Sequence, residues 1–115
     1  MPTLIYKLCR AADWTAASAI GSYTGSSDDQ RDGFIHFSTG PQLRETARRY
    51  FKGVPDLALI AFDADGLGPH LRWERSRGGE LFPHLYGPLP TATALWVRLL
   101  ALDGDGIPVL PEGVA

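Results

Sequence analysis

Asp32-Gly33-Phe34-Ile35-His36-Phe37-Ser38-Thr39 is the stretch around which this chain has to be read. Asp32-Gly33 is a turn dipeptide, because Gly tolerates positive φ and Asp bonds its own backbone. Phe34 to Ser38 then read as a short strand. Successive side chains alternate across a strand, so Ile35 and Phe37 share the core face. Phe34, His36 and Ser38 share the other, which brings two polar, chemically useful groups together. Thr39 follows as a helix N-cap, with Gln42 at capping-box spacing. The remaining question is what faces His36.

The chain has 115 residues, which is one domain by size, and 44% apolar composition supports a packed core. No run approaches the roughly 18 apolar residues of a membrane span. The first residues, Met1-Pro2-Thr3-Leu4-Ile5-Tyr6-Lys7, lack a basic segment followed by a long apolar one and read as the first strand. A single cysteine, Cys9, excludes an internal disulfide, and no CxxC is present. The expected compartment is the cytoplasm. A net charge of −2 argues against broad nucleic-acid binding, though not against a local basic patch.

Outward from the opening stretch, Thr3 to Leu8 alternates loosely as a strand. Asp13 is an N-cap for a helix from Trp14 to about Ile20, and Gly21 is its stop. Ser22 to Asp32 reads as a long loop, with a functional loop and a solvated connection as the two readings. Pro41 to Phe51 is the clearest helix, with Leu43, Ala47, Tyr50 and Phe51 on its apolar face. Arg44, Arg48, Arg49 and Lys52 lie on the outer face and read as solvated charge. Asp56 to Phe62 is a nearly continuous apolar run, a central strand buried on both faces. Leu71 to Glu74 is a short strand. Glycines and prolines between Ser76 and Pro90 exclude long regular structure. Ala94 to Leu102 is a last apolar strand. The expected fold is α+β: one small domain over 1–102, a curved or split mixed β-sheet and two main helices. Residues 103–115 form a C-terminal extension or edge strand.

Two polar clusters could carry chemistry. His36 with Ser38 is one. The other is Trp73-Glu74-Arg75-Ser76-Arg77-Gly78-Gly79-Glu80-Leu81-Phe82-Pro83-His84-Leu85-Tyr86-Gly87. Arg75 and Arg77 offer fork-shaped donors for phosphate or carboxylate. Gly78-Gly79 lets backbone N–H groups approach an anion. His84 and Tyr86 point the same way in an extended segment, and Trp73 and Phe82 can stack a planar ring. This set suits a nucleotide-like ligand better than a metal, and the spacing of His36, His70 and His84 supports no metal site. The plain alternatives are a hydrogen-bonded structural histidine and a solvated loop. A Ser38–His36 hydrolase fails, because same-face strand neighbours do not converge and there is no nucleophile elbow.

These motifs, with Ile5-Tyr6-Lys7, Trp14 and Gly21-Ser22-Tyr23-Thr24-Gly25-Ser26, resemble the small bacterial family catalogued as domain of unknown function 952, over nearly the whole chain to about Leu102. That family brings no established activity. Its fold is considered similar to the ADP-ribosyltransferase superfamily, a split sheet whose cleft holds NAD in active members. Ile35-His36-Phe37-Ser38 is also similar to the Val-His-Leu-Ser strand of the RNA 2′-phosphotransferases of that superfamily. The resemblance implies a cleft lined by His36, with Tyr6 and Lys7 on the neighbouring strand where many active members carry His or Arg. In an NAD-dependent ADP-ribosyl or phosphate transferase, Arg77 and Gly78-Gly79 would hold the diphosphate, and Ser76 would lie beside them. Trp73 or Tyr86 would stack the nicotinamide. Glu74 or Glu80 would support developing positive charge. The alternatives are a module that binds NAD, another nucleotide or a small phosphorylated ligand without turnover, and a structural or interaction domain.

Overall fold

The computed structural model describes residues 2–114. In chain order the elements are β1 (Leu4–Arg10), α1 (Ala11–Ile20), β2 (Ser22–Tyr23), α2 (Ser27–Asp32), β3 (Ile35–His36), β4 (Ser38–Thr39), α3 (Gly40–Tyr50), β5 (Leu57–Asp63), β6 (Leu71–Arg75), β7 (Leu81–Leu85), β8 (Leu89–Pro90) and β9 (Trp96–Leu100). They form a small α+β domain. The strands make three ladders, β4-β1-β5-β9, β3-β7-β6 and β2-β8. The expected sheet is split, but every ladder is antiparallel rather than mixed. No helix among the described residues is long and apolar enough to cross a membrane.

β5 organises the core. Leu57 through Phe62 are fully buried. Period 2 sends Ala58, Ile60 and Phe62 to one side, where Trp14 and Ala17 of α1 pack, and Leu57, Leu59 and Ala61 to the other, with Leu43 and Ala47 of α3. The continuous apolar run is explained by helices on both faces. β9 forms the edge of this sheet. Its Val97 and Leu99 are exposed, so the last apolar strand is buried on one face only.

The opening stretch is two short strands rather than one. His36 pairs with His84 on β7, whereas Ser38 pairs with Tyr6 on β1. The chain crosses between sheets at Phe37, whose ring meets Phe62 edge-on at 5.5 Å. Ile35 and Phe37 are buried as their alternation requires.

Ser22 to Asp32 is not a loop. It holds β2 and α2, so there are three α-helices among the described residues where two were expected. Ser26 Oγ accepts from the Asp29 N–H at 3.2 Å, and Asp29 Oδ2 accepts from the Ser26 N–H at 2.9 Å. This reciprocal cap stabilises a helix too short to persist alone. Gly33, at φ 86°, ends it.

α1 starts two residues before the expected Asp13 cap. Its first N–H, on Ala11, donates to the Asp56 carbonyl at 2.8 Å instead of to a capping side chain. α3 matches its expected span within one residue, and the Thr39 N–H donates to Gln42 Oε1 at 3.0 Å. Its stripe is narrower than expected: Tyr50 is exposed and Phe51 half-buried.

β7 runs through the glycine- and proline-rich segment and occupies the centre of its sheet despite Pro83. The Pro83 carbonyl accepts from the Phe37 N–H at 3.0 Å. Its nitrogen faces the same edge, where β3 has already ended, so the missing N–H removes no bond to β6. Leu102 bridges Pro108 across the turn that starts at Asp103, and Leu110 and Val114 pack against the Tyr6 side of the core.

Candidate functional site

β1, α2, α3, the β3–β4 crossing and the β6–β7 turn enclose a cavity of about 260 Å³. Lys7 sits in β1 between the buried Ile5 and Cys9, so its ammonium has to find partners. Nζ donates to Asp29 Oδ2 at 2.8 Å and to the His36 carbonyl at 2.9 Å. That uses two of its three N–H bonds.

Asp29 receives four donors. Lys7 Nζ and the Ser26 N–H meet Oδ2; the His36 N–H, at 3.1 Å, and His36 Nδ1, at 2.5 Å, meet Oδ1. Burial alone would raise this carboxyl, but the His36 hydrogen bond, the Lys7 charge and the Ser26 N–H outweigh it and hold it far below the usual carboxylate range. With its lone pairs occupied, Asp29 is a tie between α2, β1 and β3 rather than a free base. Asp32, one turn on, lies 2.9 Å from His36 Nε2. His36 is therefore held at both ring nitrogens by carboxylates of α2.

His84, across the ladder from His36, is buried, with Nδ1 2.9 Å from Glu74 Oε1. Tyr86 Oη donates to the same oxygen at 2.7 Å. The Tyr86 hydroxyl, then His84, hold Glu74 below the ordinary carboxylate range. Phe34 stacks on the His84 ring at 4.0 Å. At the far end Arg77 lies over the rings of Phe82 and Tyr50, at 5.0 and 5.9 Å, and donates to Thr46 Oγ1 at 3.2 Å and the Gln42 carbonyl at 3.4 Å. Ser38 Oγ bonds Thr46 Oγ1 at 2.9 Å.

Of the residues singled out in the sequence, Tyr6, Lys7, His36, Ser38, Ser76, Arg77 and His84 line this cavity. Trp73, Glu74, Arg75, Gly78, Gly79, Glu80 and Tyr86 do not. Period 2 explains only part of the division. Glu74 and Tyr86 share the face of His84 but stand behind it as its supports, whereas Trp73 and Arg75 lie on the opposite face. Arg75 donates to the Gly79 carbonyl at 3.0 Å, closing the turn on itself. Gly78 and Gly79, at φ 68° and 77°, form that turn away from the cavity, and Glu80 beside them is exposed. His70 is exposed, and among the described residues no group of three His, Cys, Asp or Glu side chains is placed to hold a metal ion.

Sequence reasoning left this segment open as a functional loop but named none of its α2 wall residues, Ser26, Asp28, Asp29, Arg31 and Asp32, for the site. The available signal was Ser26-Ser27-Asp28-Asp29, a Ser followed three residues on by an acid. Tyr50 and Thr46 of α3 were missed as well, since a helix stripe does not say which residues rim a cavity.

Residues 8–97 match the model of a family described as "Protein of unknown function (DUF952)". The crystal structure of protein CC0527 from Caulobacter crescentus is 50% identical, with a TM-score of 0.92, covering 94% of this chain and 95% of that one. The solution structure of the same protein is also 50% identical, with a TM-score of 0.83, covering 92% and 91%. No curated protein matches the chain.

Proposed function

This chain belongs to the DUF952 family of proteins of unknown function, and within it we propose a binding module whose cleft takes a small phosphorylated ligand. The carrying observation is Arg77: its guanidinium is at the cavity, oriented by two aromatic rings, and has no carboxylate partner among the described residues. A planar cation held this way is suited to a phosphate. Lys7 adds a fixed charge with one N–H unspent. At the α2 wall Asp28 and Asp32 are paired with Arg31 and Asp29 with Lys7, so the cavity-lining cation without a carboxylate partner among the described residues is Arg77.

Volume sets the size class. About 260 Å³ is at the lower edge of ligand pockets and fits a sugar phosphate or part of a mononucleotide. NAD fits less well. Of the groups expected to hold it, Arg77 and His36 line the cavity, while Trp73, Tyr86, Gly78-Gly79, Glu74 and Glu80 lie outside it. The likeness to the ADP-ribosyltransferase superfamily supports the proposal through the split sheet and the His36 strand, and remains part of it.

Thermal-shift titration with inorganic phosphate, ribose 5-phosphate, ADP-ribose and NAD tests the reading. A ligand at about 100 times its Kd stabilises by about 2.7 kcal/mol. A rise with the phosphate compounds that Arg77→Ala abolishes is expected. No rise at millimolar ligand overturns the reading and leaves a structural or interaction role. NAD binding with nicotinamide release would replace the module by a transferase.

A further inference from the structure

His84 is 4% exposed and lines the cavity, yet one of its ring nitrogens has no partner among the described residues. Nδ1 is held by Glu74 at 2.9 Å, and Glu74 is held by the Tyr86 hydroxyl at 2.7 Å. Phe34 stacks on the ring face at 4.0 Å with the planes 26° apart. Turning the ring out of its plane loses the stack, and flipping it within that plane loses the Glu74 contact. A neutral imidazole that donates through Nδ1 carries its lone pair on Nε2. Glu74, an ionised acceptor, selects that tautomer.

The cavity is thus divided. Arg77 supplies donors beside Thr46 and Phe82, while Lys7 is held at the α2 wall by Asp29. Asp28 and Asp32 of α2 are engaged by Arg31, and Asp32 by His36 as well, which leaves the His84 nitrogen, unpartnered among the described residues, as the acceptor the cavity offers. A bare phosphate answers only the donor end. A phosphate ester whose carbon skeleton carries free hydroxyls answers both, since a hydroxyl brings an O–H to the unpartnered nitrogen of the His84 ring.

We propose that His84 Nε2 accepts a hydrogen bond from a ligand hydroxyl, so that the cleft selects a phosphorylated sugar or polyol over phosphate esters lacking hydroxyls. This rests on the reading of Arg77 as the phosphate holder. His84 is the specificity-determining contact; Glu74 and Tyr86 are positioning residues.

Sites built to bond a hydroxyl discriminate strongly against analogues without it, because the acceptor is left unpaired. The experiment titrates ribose 5-phosphate and n-butyl phosphate calorimetrically into the wild-type chain, His84→Phe, His84→Gln and Arg77→Ala. Ribose 5-phosphate should bind the wild type at least about ten-fold tighter than butyl phosphate. His84→Phe keeps the stack on Phe34 and should abolish that preference without changing butyl phosphate affinity. His84→Gln, which restores an acceptor, should recover part of it and also serves if the Phe variant does not fold. Arg77→Ala should weaken both ligands. Equal wild-type affinities, or a His84 substitution that weakens both ligands alike, overturns the role of His84 and leaves Arg77 standing. If neither ligand binds, or if Arg77→Ala has no effect, both readings are overturned.

Discussion

Lys7 Nζ lies 2.8 Å from Asp29 Oδ2, and the two side chains are 5% and 2% exposed. This ion pair joins β1 to a helix that begins twenty residues later in the chain and fixes the wall on which His36 rests. Desolvating two charges is unfavourable by itself; the two further N–H donors on Asp29 Oδ1 and the His36 carbonyl on Lys7 offset it.

Breaking the pair from one side strands the other charge. Asp29→Ala should destabilise the fold by about 3–5 kcal/mol in urea unfolding. Replacing both partners, Lys7→Met with Asp29→Ala, should be less harmful than the sum of the singles, because no buried charge then remains. Strict additivity would show that the pair does not couple.

Acid should loosen the same tie. The folded Asp29 carboxyl titrates below its unfolded value of about 3.9. Its contribution to stability is fully present above about pH 4 and is lost as pH falls through the folded value, where protonation removes the charge facing Lys7. Unfolding free energy followed by urea from about pH 6 down to about pH 2.5 should fall more steeply in the wild type than in Asp29→Asn. Parallel curves would locate acid sensitivity elsewhere.

Gly25 should accept no side chain. It has φ 104°, and a Cβ there would stand 2.7 Å from the Asp29 Cβ. Gly25→Ala should cost about 1–3 kcal/mol. Gly104 has open space around it and no positive φ, so Gly104→Ala should be neutral or stabilising by a few tenths, up to about 1 kcal/mol. Thermal melts of the two variants compare them directly.

Cys9 should be silent toward thiol reagents in the native state. It is buried, and burial pushes its thiol up to about 11. Only the thiolate reacts, and access is blocked as well. Labelling at neutral pH should follow the rate of unfolding and accelerate with urea. Fast labelling of the folded chain would place Cys9 at an opening of the sheet.

Local sequence carried much of the fold. β5 was legible because Leu57 to Phe62 is apolar without a break, and α3 because Thr39, Pro41 and Gln42 mark its start. The core positions of Ile35 and Phe37 followed from alternation alone. α2 was hidden: its six residues are polar, with no apolar period, and its cap at Ser26 stood in a stretch rich in Ser, Gly and Asp. β7 was hidden by Pro83, which is harmless only because the neighbouring strand ends beside it.

For the site, the same division holds. His36, Arg77 and His84 were recognisable by residue type and by the cluster in which they stand, and all three line one cavity. That Asp29 is the acid facing His36, and that Glu74 stands behind His84 rather than in the cleft, is set by how the two sheets meet at Phe37. Caps and periodicities depend on residues within about four positions, so the sequence alone determines them. The meeting of Lys7, Asp29 and His36 depends on packing between distant segments, where burial leaves each charge only the partners the tertiary structure brings to it.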